Sequence, residues 1–552
     1  ILEAARSQDL LRELGVQAGP GEQDEQLLER IDAYLCELKE SQIRDGLHIF
    51  GCSPQDRLER DTLLALARHP VGNGKGSHAS LIRALAQDLQ LGADFDPLDA
   101  DWAQPWTGNR PALLVQMDEQ SWRNTGDTRE RLELLALSIL ERDALVHQAL
   151  EPDFVQTHAV LQRVEQDLRP RLNQCGPQEL LQLMRGLAGR FVPAGPSGAP
   201  TRGRPDVLPT GRNFFSVDTR SVPTPTSWTL GLKSANLLVE KYAQEHGEYP
   251  KSIGLSVWGT ATMRTGGDDI AQALALLGVR PTWADGSWRV SDFEVLPMSV
   301  VGRPRVDVTL RVSGFFRDAF TNVIRLFDAA VQKVAALEDE DEFTNPIRAR
   351  VLREAQLLSA QGMEQADARH QAGMRVFGAK PGSYGAGLQG LIDGRNWDSD
   401  EDLATAYRNW GAYAYGQKDD GTAVPETFVR RLSDMQLVVH NQDNREHDLL
   451  DSDDYYQFQG GMAAAVRHFS GQQPTLYFGD HSNPESPRMR TLQEEISRVV
   501  RSRVTNPKWI DGVKRHGYKG AFEIAATVDY LFAFDATARV VRDDQYARVT
   551  DA

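Results

Sequence analysis

Apolar residues in the first third of the chain recur at three-and-four spacing, the period of an amphipathic helix. The pattern is clearest over residues 24–38 and 128–150, and it predicts a mainly helical region over residues 1–190. A short stretch, 43–54, departs from the pattern because glycines flank a brief apolar run around His48. That stretch predicts a short strand or tight turn that presents His48.

The composition changes most strongly after this helical region. Residues 191–211 hold five prolines and four glycines, which is typical of a boundary between folded units. Beyond it, runs of strand length precede helical patterns, as in 253–258 before 268–277 and 306–312 before 320–336. This order predicts an α/β layered domain over residues 206–337.

The rest of the chain predicts a second α/β unit. An acidic run at 338–342 opens a helical pattern that ends near residue 372, and we interpret 338–372 as a solvated helical connection. Strand patterns at 437–440 and 475–478 and a helical pattern over 491–504 then predict a carboxyl-terminal α/β domain, 373–552. The predicted fold class is therefore α/β and multi-domain, with a helical amino-terminal segment followed by α/β layered domains.

Charge and cysteine content exclude several kinds of partner and site. The 552 residues carry a net charge of −17, so nucleic acid and anionic membranes would be repelled at long range. Cys36, Cys52 and Cys175 lack short paired spacing, which disfavours a disulfide framework or a cysteine zinc site. The acidic composition and the cysteine pattern lead us to expect a cytoplasmic protein, and no apolar window is long enough for a membrane span. A chain that begins at Ile1 without a leader is interpreted as a fragment or a processed form.

Three loops follow predicted strands, where ligands collect in α/β folds. The first, 259–269, is rich in small residues whose backbone N–H groups could receive a carboxylate, with Arg264 as a charged clamp. A plain strand-to-helix turn, with Asp268 capping the helix, is the alternative.

The second loop, after Val439, concentrates imidazole and carboxylate groups. Such groups suit a hydrated divalent ion or the uptake of protons, whereas their spacing does not match a calcium-binding loop. A solvated acidic loop is the alternative reading. The side chains concerned are Glu446, His447, Asp448, Asp451, Asp453 and Asp454.

The third loop, 479–484, offers Asp480 and His481 as ligands or bases, although an aspartate at a helix entry is more often a cap. His516, within 514–519, is more typical of a surface histidine than of a catalytic one when judged by its surroundings alone.

Several motifs are absent from the sequence. There is no phosphate-binding loop, since the nearest phrase, 72–77, lacks the spacing that surrounds phosphates. The chain is therefore not expected to hydrolyse ATP. The zinc-protease, nucleophile-elbow and dinucleotide motifs are missing too, which disfavours protease, esterase and dehydrogenase functions.

Four long phrases carry the analysis further. PTGRNFFSVD (209–218), GLSVWGTATMRTGGDDI (254–270), PRVDVTLRVSGFFRD (304–318) and FGAKPGSYGAG (377–387) resemble the large-subunit family shared by cobaltochelatase and magnesium chelatase. The resemblance runs over nearly the whole chain. His447 and the phrase DDYY (453–456) are more similar to the cobalt branch. Members of the family are about twice this length, so we expect the chain to be the carboxyl-terminal part of such a subunit.

The resemblance implies a ligase that forms nitrogen–metal bonds. It implies Co²⁺ as the substrate metal, hydrogenobyrinic acid a,c-diamide as the corrinoid precursor, and AAA+ subunits that use ATP and Mg²⁺. A magnesium chelatase subunit acting on protoporphyrin IX and a non-catalytic tetrapyrrole-binding scaffold are the alternatives.

The resemblance also suggests individual site residues, because they fall in phrases similar to those of the family. We expect ligands for the ion, proton acceptors or orienting groups, and arginines for the carboxylates of the macrocycle. The metal ligands are His48, Glu446 and His447, the catalytic residues are Asp451, Asp480 and His516, and the macrocycle-binding residues are Arg212 and Arg264.

Overall fold

The computed structural model describes residues 46–72, 74–141, 154–215 and 217–552, together with six isolated positions between residues 27 and 38. Six of the fifteen positions of the predicted helix at 24–38 are described, and all six are helical; the other nine lie outside the described residues. The predicted helix at 128–150 is observed as Thr125–Leu140, and 142–153 are again outside the described residues.

The amino-terminal region is helical, as predicted. Its helices surround an apolar core that includes Leu63, Leu85 and Leu132. The helices are Asp56–Arg68, Gly76–His78, Leu81–Asp88, Ala112–Val115, Thr125–Leu140, Val155–Arg163, Val164–Leu168, Arg169–Asn173 and Cys175–Leu187.

The proline- and glycine-rich segment leads into the rest of the chain through short elements. Strand β1 (Ala194–Pro196) pairs in parallel with β2 (Asn213–Phe215). Short helical turns at Pro200–Arg202, Pro205–Val207 and Thr219–Ser221 complete the connection.

An eight-stranded sheet dominates the remaining residues. The strands of the sheet are β3 Ser252–Val257, β6 Asp307–Val312, β7 Val376–Gly378, β8 Tyr413–Tyr415, β9 Asp420–Ala423, β10 Leu437–Gln442, β11 Thr475–Asp480 and β12 Arg488–Thr491. Strands β4 (Val279–Trp283) and β5 (Val290–Val295) form a separate hairpin. The order of the eight strands is β12-β11-β10-β3-β6-β7-β8-β9. Strands β11, β10, β3, β6 and β7 are parallel, and the strands at both edges are antiparallel.

Helices cover both faces of this sheet, which explains why β3, β6 and β10 are buried along their whole length. One face packs against Pro225–His246, Asp268–Leu277 and Thr321–Ala335, and the other against a second core that includes Gly461–Ser470. The other helices here are Gly259–Thr265, Met298–Val301, Gly314–Ala319, Pro346–Ala360, Gln365–Ala372, Gln389–Gly394, Asp400–Gly411, Pro425–Ser433, Asp453–Tyr455, Tyr456–Gly460, Leu492–Val499, Val500–Val504, Pro507–Lys514, Tyr518–Ala538 and Asp543–Asp551.

The structure confirms the α/β class but corrects the division into two α/β domains. Strands from both predicted domains, 206–337 and 373–552, pair in one sheet, with β10 hydrogen-bonded to β3. The helices within 338–372 pack against the same core as the first strands. This arrangement could not be predicted from the order of the elements, because the pairing of β10 with β3 joins residues that are far apart in the chain. Among the described residues, no helix is long and apolar enough to cross a membrane.

Candidate functional site

The order of the strands creates a crevice between β3 and β10. From β3 the chain proceeds through β6 to β7 on one side of the sheet, whereas β10 and β11 lie on the other side. The loops that leave the carboxyl ends of β3 and β10 therefore diverge, and ligands bind at such a point in open α/β sheets. A cavity of about 160 Å³ lies there, which we call the crevice cavity. It is lined by Trp258, Thr260, Ala261, Arg264, His440, Asn441, Gln442, Asp443, His447, Ser452, Asp454 and Tyr455.

An ion pair joins the two loops across this cavity. The Arg264 guanidinium donates to both carboxylate oxygens of Asp443, at 2.8 and 2.7 Å. Burial opposes the charge on Arg264, but the hydrogen bonds and the attraction of Asp443 prevail and raise its pKa. This pair bridges the loop after β3 and the loop after β10. Arg264 was predicted to clamp a carboxylate, and here the carboxylate belongs to the protein.

Aromatic rings form one wall of the crevice cavity. Trp258 donates its indole N–H to Nδ1 of His440 at 3.4 Å, and Tyr455 contacts both rings edge-on. Burial lowers the pKa of His440 to about 4, so the imidazole is neutral near pH 7. Its Nε2 atom is buried and has no hydrogen-bond partner among the described residues. Because Nδ1 accepts the Trp258 N–H, Nε2 of the neutral ring carries the proton and can only donate.

Two groups with suitable chemistry for a divalent ion line the crevice cavity. His447 has 41% of its side chain exposed, and its Nδ1 atom lies 3.5 Å from Oδ2 of Asp451. Burial, with a smaller contribution from Asp453, raises the pKa of Asp454 to about 6. An imidazole and a carboxylate that exchanges its proton near neutral pH can bind a metal ion or take up protons.

A buried polar network lies behind the crevice cavity. The amide of Asn441 donates to Asp269 at 2.8 Å and to Gln272 at 2.7 Å, and Gln272 in turn donates to Ser234 at 2.9 Å. Ser234 is 2.7 Å from Nε2 of His481. Burial, partly offset by the Asn441 hydrogen bond, raises the pKa of Asp269 to about 7. Sequence reasoning missed this network, although the Asp268–Asp269 pair after two glycines was a visible signal.

Glu446 faces a different space from His447. The Thr201 hydroxyl donates to Oε1 of Glu446, whereas Oε2 is buried without a hydrogen-bond partner among the described residues. Glu446 lines a second cavity of about 470 Å³, which we call the large cavity. Neighbouring residues of one loop therefore serve two separate cavities.

Two of the predicted proton acceptors have structural roles instead. Asp480 is buried and paired with Arg445 at 3.0 Å and with Arg490 at 3.1 Å. Although burial opposes its charge, these arginines hold the pKa of Asp480 well below its ordinary value, so it is a poor base. Asp451 accepts the N–H of Asp448 at 2.7 Å and thereby orients the loop that carries His447.

The remaining predicted residues have partners outside the crevice. His48 lies 3.2 Å from Glu179, Nε2 of His516 accepts the N–H of Leu47 at 3.1 Å, and Arg212 donates to the Leu208 carbonyl at 2.7 Å. Within the part of the chain that the structure describes, no three histidine, cysteine or acidic side chains are grouped to hold a metal. The predicted set of His48, Glu446 and His447 is thus not preassembled.

Comparisons with known proteins agree with this architecture. The CobN/Magnesium Chelatase family model matches residues 1–552. The aerobic cobaltochelatase subunit CobN of Pseudomonas aeruginosa is 61% identical over 552 residues, which cover 100% of this chain and 44% of that protein. The magnesium-chelatase subunit ChlH of Oryza sativa subsp. japonica is 29% identical over 553 residues, covering 96% of this chain and 38% of that protein.

A solved structure shows the same fold. The catalytic subunit of cobaltochelatase from Mycobacterium tuberculosis superposes with a TM-score of 0.86 at 43% identity, over 100% of this chain and 44% of that one. The chain thus spans less than half the length of these relatives. The matches establish how much of these relatives the chain covers. They do not support the expected carboxyl-terminal position. The chain belongs to the CobN/Magnesium Chelatase family.

Proposed function

We propose that this chain forms the macrocycle-binding, metal-inserting part of an ATP-dependent cobaltochelatase. The complete enzyme would insert Co²⁺ into hydrogenobyrinic acid a,c-diamide during cobalamin biosynthesis in the cytoplasm. Separate AAA+ subunits would hydrolyse ATP with Mg²⁺. The observation that carries the proposal is the crevice cavity, in which His447 and Asp454 line the same space at the switch point of the sheet.

The type of ligand favours cobalt as the substrate metal. Imidazole binds cobalt well, whereas magnesium prefers carboxylate, carbonyl and water oxygens. The levels of identity point the same way, with 61% to a cobaltochelatase subunit and 29% to a magnesium-chelatase subunit. The two branches differ in metal and macrocycle but share the class of reaction.

Insertion of Co²⁺ into the corrin ring displaces the ring N–H proton, which a base must accept. The His447 imidazole and the Asp454 carboxylate would hold the ion while its waters leave. Because the pKa of Asp454 is about 6, its carboxylate can also accept a proton near neutral pH once the ion has moved to the ring. The Arg264–Asp443 pair would keep the two loops at a fixed separation during this exchange.

The test uses the protein at the full length of its relatives, mixed with the ATPase subunits, ATP, Co²⁺ and hydrogenobyrinic acid a,c-diamide. We expect a cobalt-dependent change in the absorbance of the macrocycle that requires ATP. His447→Ala should slow it strongly. His468→Ala, on the exposed side of the Gly461–Ser470 helix, is the matched control and should not.

Other outcomes would replace the proposal. A change seen only with protoporphyrin IX and Mg²⁺ would assign the protein to the magnesium branch. Binding of the macrocycle without insertion of either metal would leave the role of a tetrapyrrole-binding scaffold.

A further inference from the structure

We propose that a cavity between the amino-terminal helices and the loops after β10 and β11 is a binding site for a small oxyanion of the phosphate type. We call it the arginine cavity, because Arg68, Arg129, Arg445 and Arg488 line it. This inference is independent of the proposed function, since the ligand is neither the macrocycle nor the substrate metal. A bound anion would tie the helical region to the sheet.

The arginine cavity lies where separate segments of the chain meet. Arg68 and Arg129 come from two helices of the amino-terminal region. Arg445 follows β10, and Arg488 is the first residue of β12. The volume of about 60 Å³ admits a group of a few atoms but excludes a tetrapyrrole ring. A ligand of that size would contact both parts of the structure at once.

The described side chains that line the arginine cavity carry more positive than negative charge. Asp480 is the one carboxylate among them, against four guanidinium groups. Arg68 is paired with Glu133 at 2.9 Å, and Arg445 is paired with Asp480 at 3.0 Å. Even when Glu133 is counted, four cations face two carboxylates, although the whole chain carries a net charge of −17. A cavity that concentrates positive charge in this way attracts anions.

A buried histidine in the same wall responds to this positive charge. Burial, followed by the charges of Arg68, Arg129 and Arg445, lowers the pKa of His69 to about 3. The imidazole is therefore neutral near pH 7. Because three arginines act on this one side chain, their attraction for an anion in the cavity that it lines is also combined.

An indole ring positions two of the four arginines. The guanidinium carbon of Arg129 lies 5.0 Å from the centroid of the Trp102 ring, and that of Arg488 lies 5.2 Å from it. The two guanidinium carbons are therefore no more than about 10 Å apart, which is close enough for the charges to repel each other. An anion between them would offset this repulsion. Since the ring already restricts both side chains, less conformational entropy is lost when they bind a ligand.

The kind of donor favours a phosphate-type anion. A guanidinium group presents paired N–H donors that fit the oxygen atoms of a phosphate or a carboxylate. Donors that come from several segments suit a tetrahedral anion, whose oxygens point in several directions, better than a planar carboxylate. A phosphate group also carries a larger negative charge near pH 7. Hydroxyl and amide groups complete the polar wall, from Thr201, Asn444, Ser482, Asn483 and Ser486.

The experiment measures the binding of inorganic phosphate to the full-length protein by isothermal titration calorimetry, without cobalt, macrocycle or ATP. The ionic strength is kept constant with NaCl, because salt screens such interactions. We expect Arg488→Gln, which removes one charged donor, to weaken binding at least about tenfold. Arg325→Gln, at an exposed position of the Thr321–Ala335 helix, is the matched control and should bind phosphate as the wild type does.

Several outcomes would overturn the inference. If the wild type gives no phosphate binding in this titration, the arginine cavity is not an anion site. If Arg488→Gln binds with the wild-type affinity, phosphate binds elsewhere, and if acetate binds as tightly as phosphate, the ligand class is wrong. Should Arg488→Gln unfold, Ser486→Glu, which adds a negative charge to the same wall, replaces it, and unchanged affinity in that variant would be equally decisive. None of these results bears on metal insertion.

Discussion

Replacement of Asp269 by asparagine should make the protein more stable at neutral and alkaline pH. Asp269 is 5% exposed, lies beside Asp268 and Asp443, and has a pKa of about 7 instead of the ordinary 3.8. Ionising it inside the folded protein is therefore unfavourable. Asparagine has almost the same shape and can still accept the hydrogen bond from Asn441.

The size of the stabilisation follows from the shift in the pKa of Asp269. A pKa raised by roughly three units corresponds to about 4 kcal/mol, since one unit is 1.36 kcal/mol. The folded state holds the proton more tightly than the unfolded state, so this group lowers the stability of the wild type as pH rises from about 4 to 7. Above pH 7 the wild type has lost this stability in full, and the loss no longer changes with pH.

The assay is urea unfolding of both proteins at several pH values between 4 and 8. We expect nearly equal free energies of unfolding near pH 4 and an advantage of about 4 kcal/mol for Asp269→Asn at pH 8. Asp285→Asn, in an exposed turn, is the control and should show no such trend. A difference that does not change with pH, or a variant that is less stable at pH 8, would refute the reasoning.

Three further substitutions test other parts of the sheet. Asp307→Asn should destabilise the protein by about 3–5 kcal/mol, because buried Asp307 pairs with Arg375 at 2.6 Å and with Arg350 at 2.7 Å. Since the pKa of Asp307 is about 2, the wild type should lose this stabilisation as pH falls from 4 towards 2, which acid unfolding measures. Asp480→Asn should cost a similar amount, about 3–5 kcal/mol in urea unfolding, because Arg445 and Arg490 lose their shared carboxylate; an unchanged midpoint would contradict this. Gly479→Ala should cost about 1–3 kcal/mol in thermal unfolding, because the new Cβ would overlap Oδ1 of Asn441. Gly390→Ala, with open space around it, should be neutral in that measurement.

The local elements of the fold could be predicted from the sequence. The strands at 437–440 and 475–478 are observed as β10 and β11, each extending two residues further, and the predicted helix at 268–277 is observed at those bounds. Hydrophobic periodicity records burial along one element, and these elements are buried on both faces. Periodicity does not record which strands are neighbours, so the sheet that unites the two predicted domains was not foreseen.

The candidate site was predicted in part for the same reason. The loops after β3 and β10 were recognised, and both line the crevice cavity. The roles within them depend on three-dimensional contacts that the sequence does not display. Asp480 was expected to act as a base, but Arg445 and Arg490 come from other segments and keep it ionised. Glu446 and His447 were expected to share one ion, but they face different cavities.

The most direct test of the account is a titration of the protein with Co²⁺, followed by the visible absorbance of the bound ion. The account predicts that the bands given by imidazole ligation are lost in His447→Ala, weakened in Asp454→Asn and retained in the surface control His468→Ala. Binding of Co²⁺ by His447→Ala with the wild-type affinity and spectrum would contradict the claim that the crevice between β3 and β10 holds the metal.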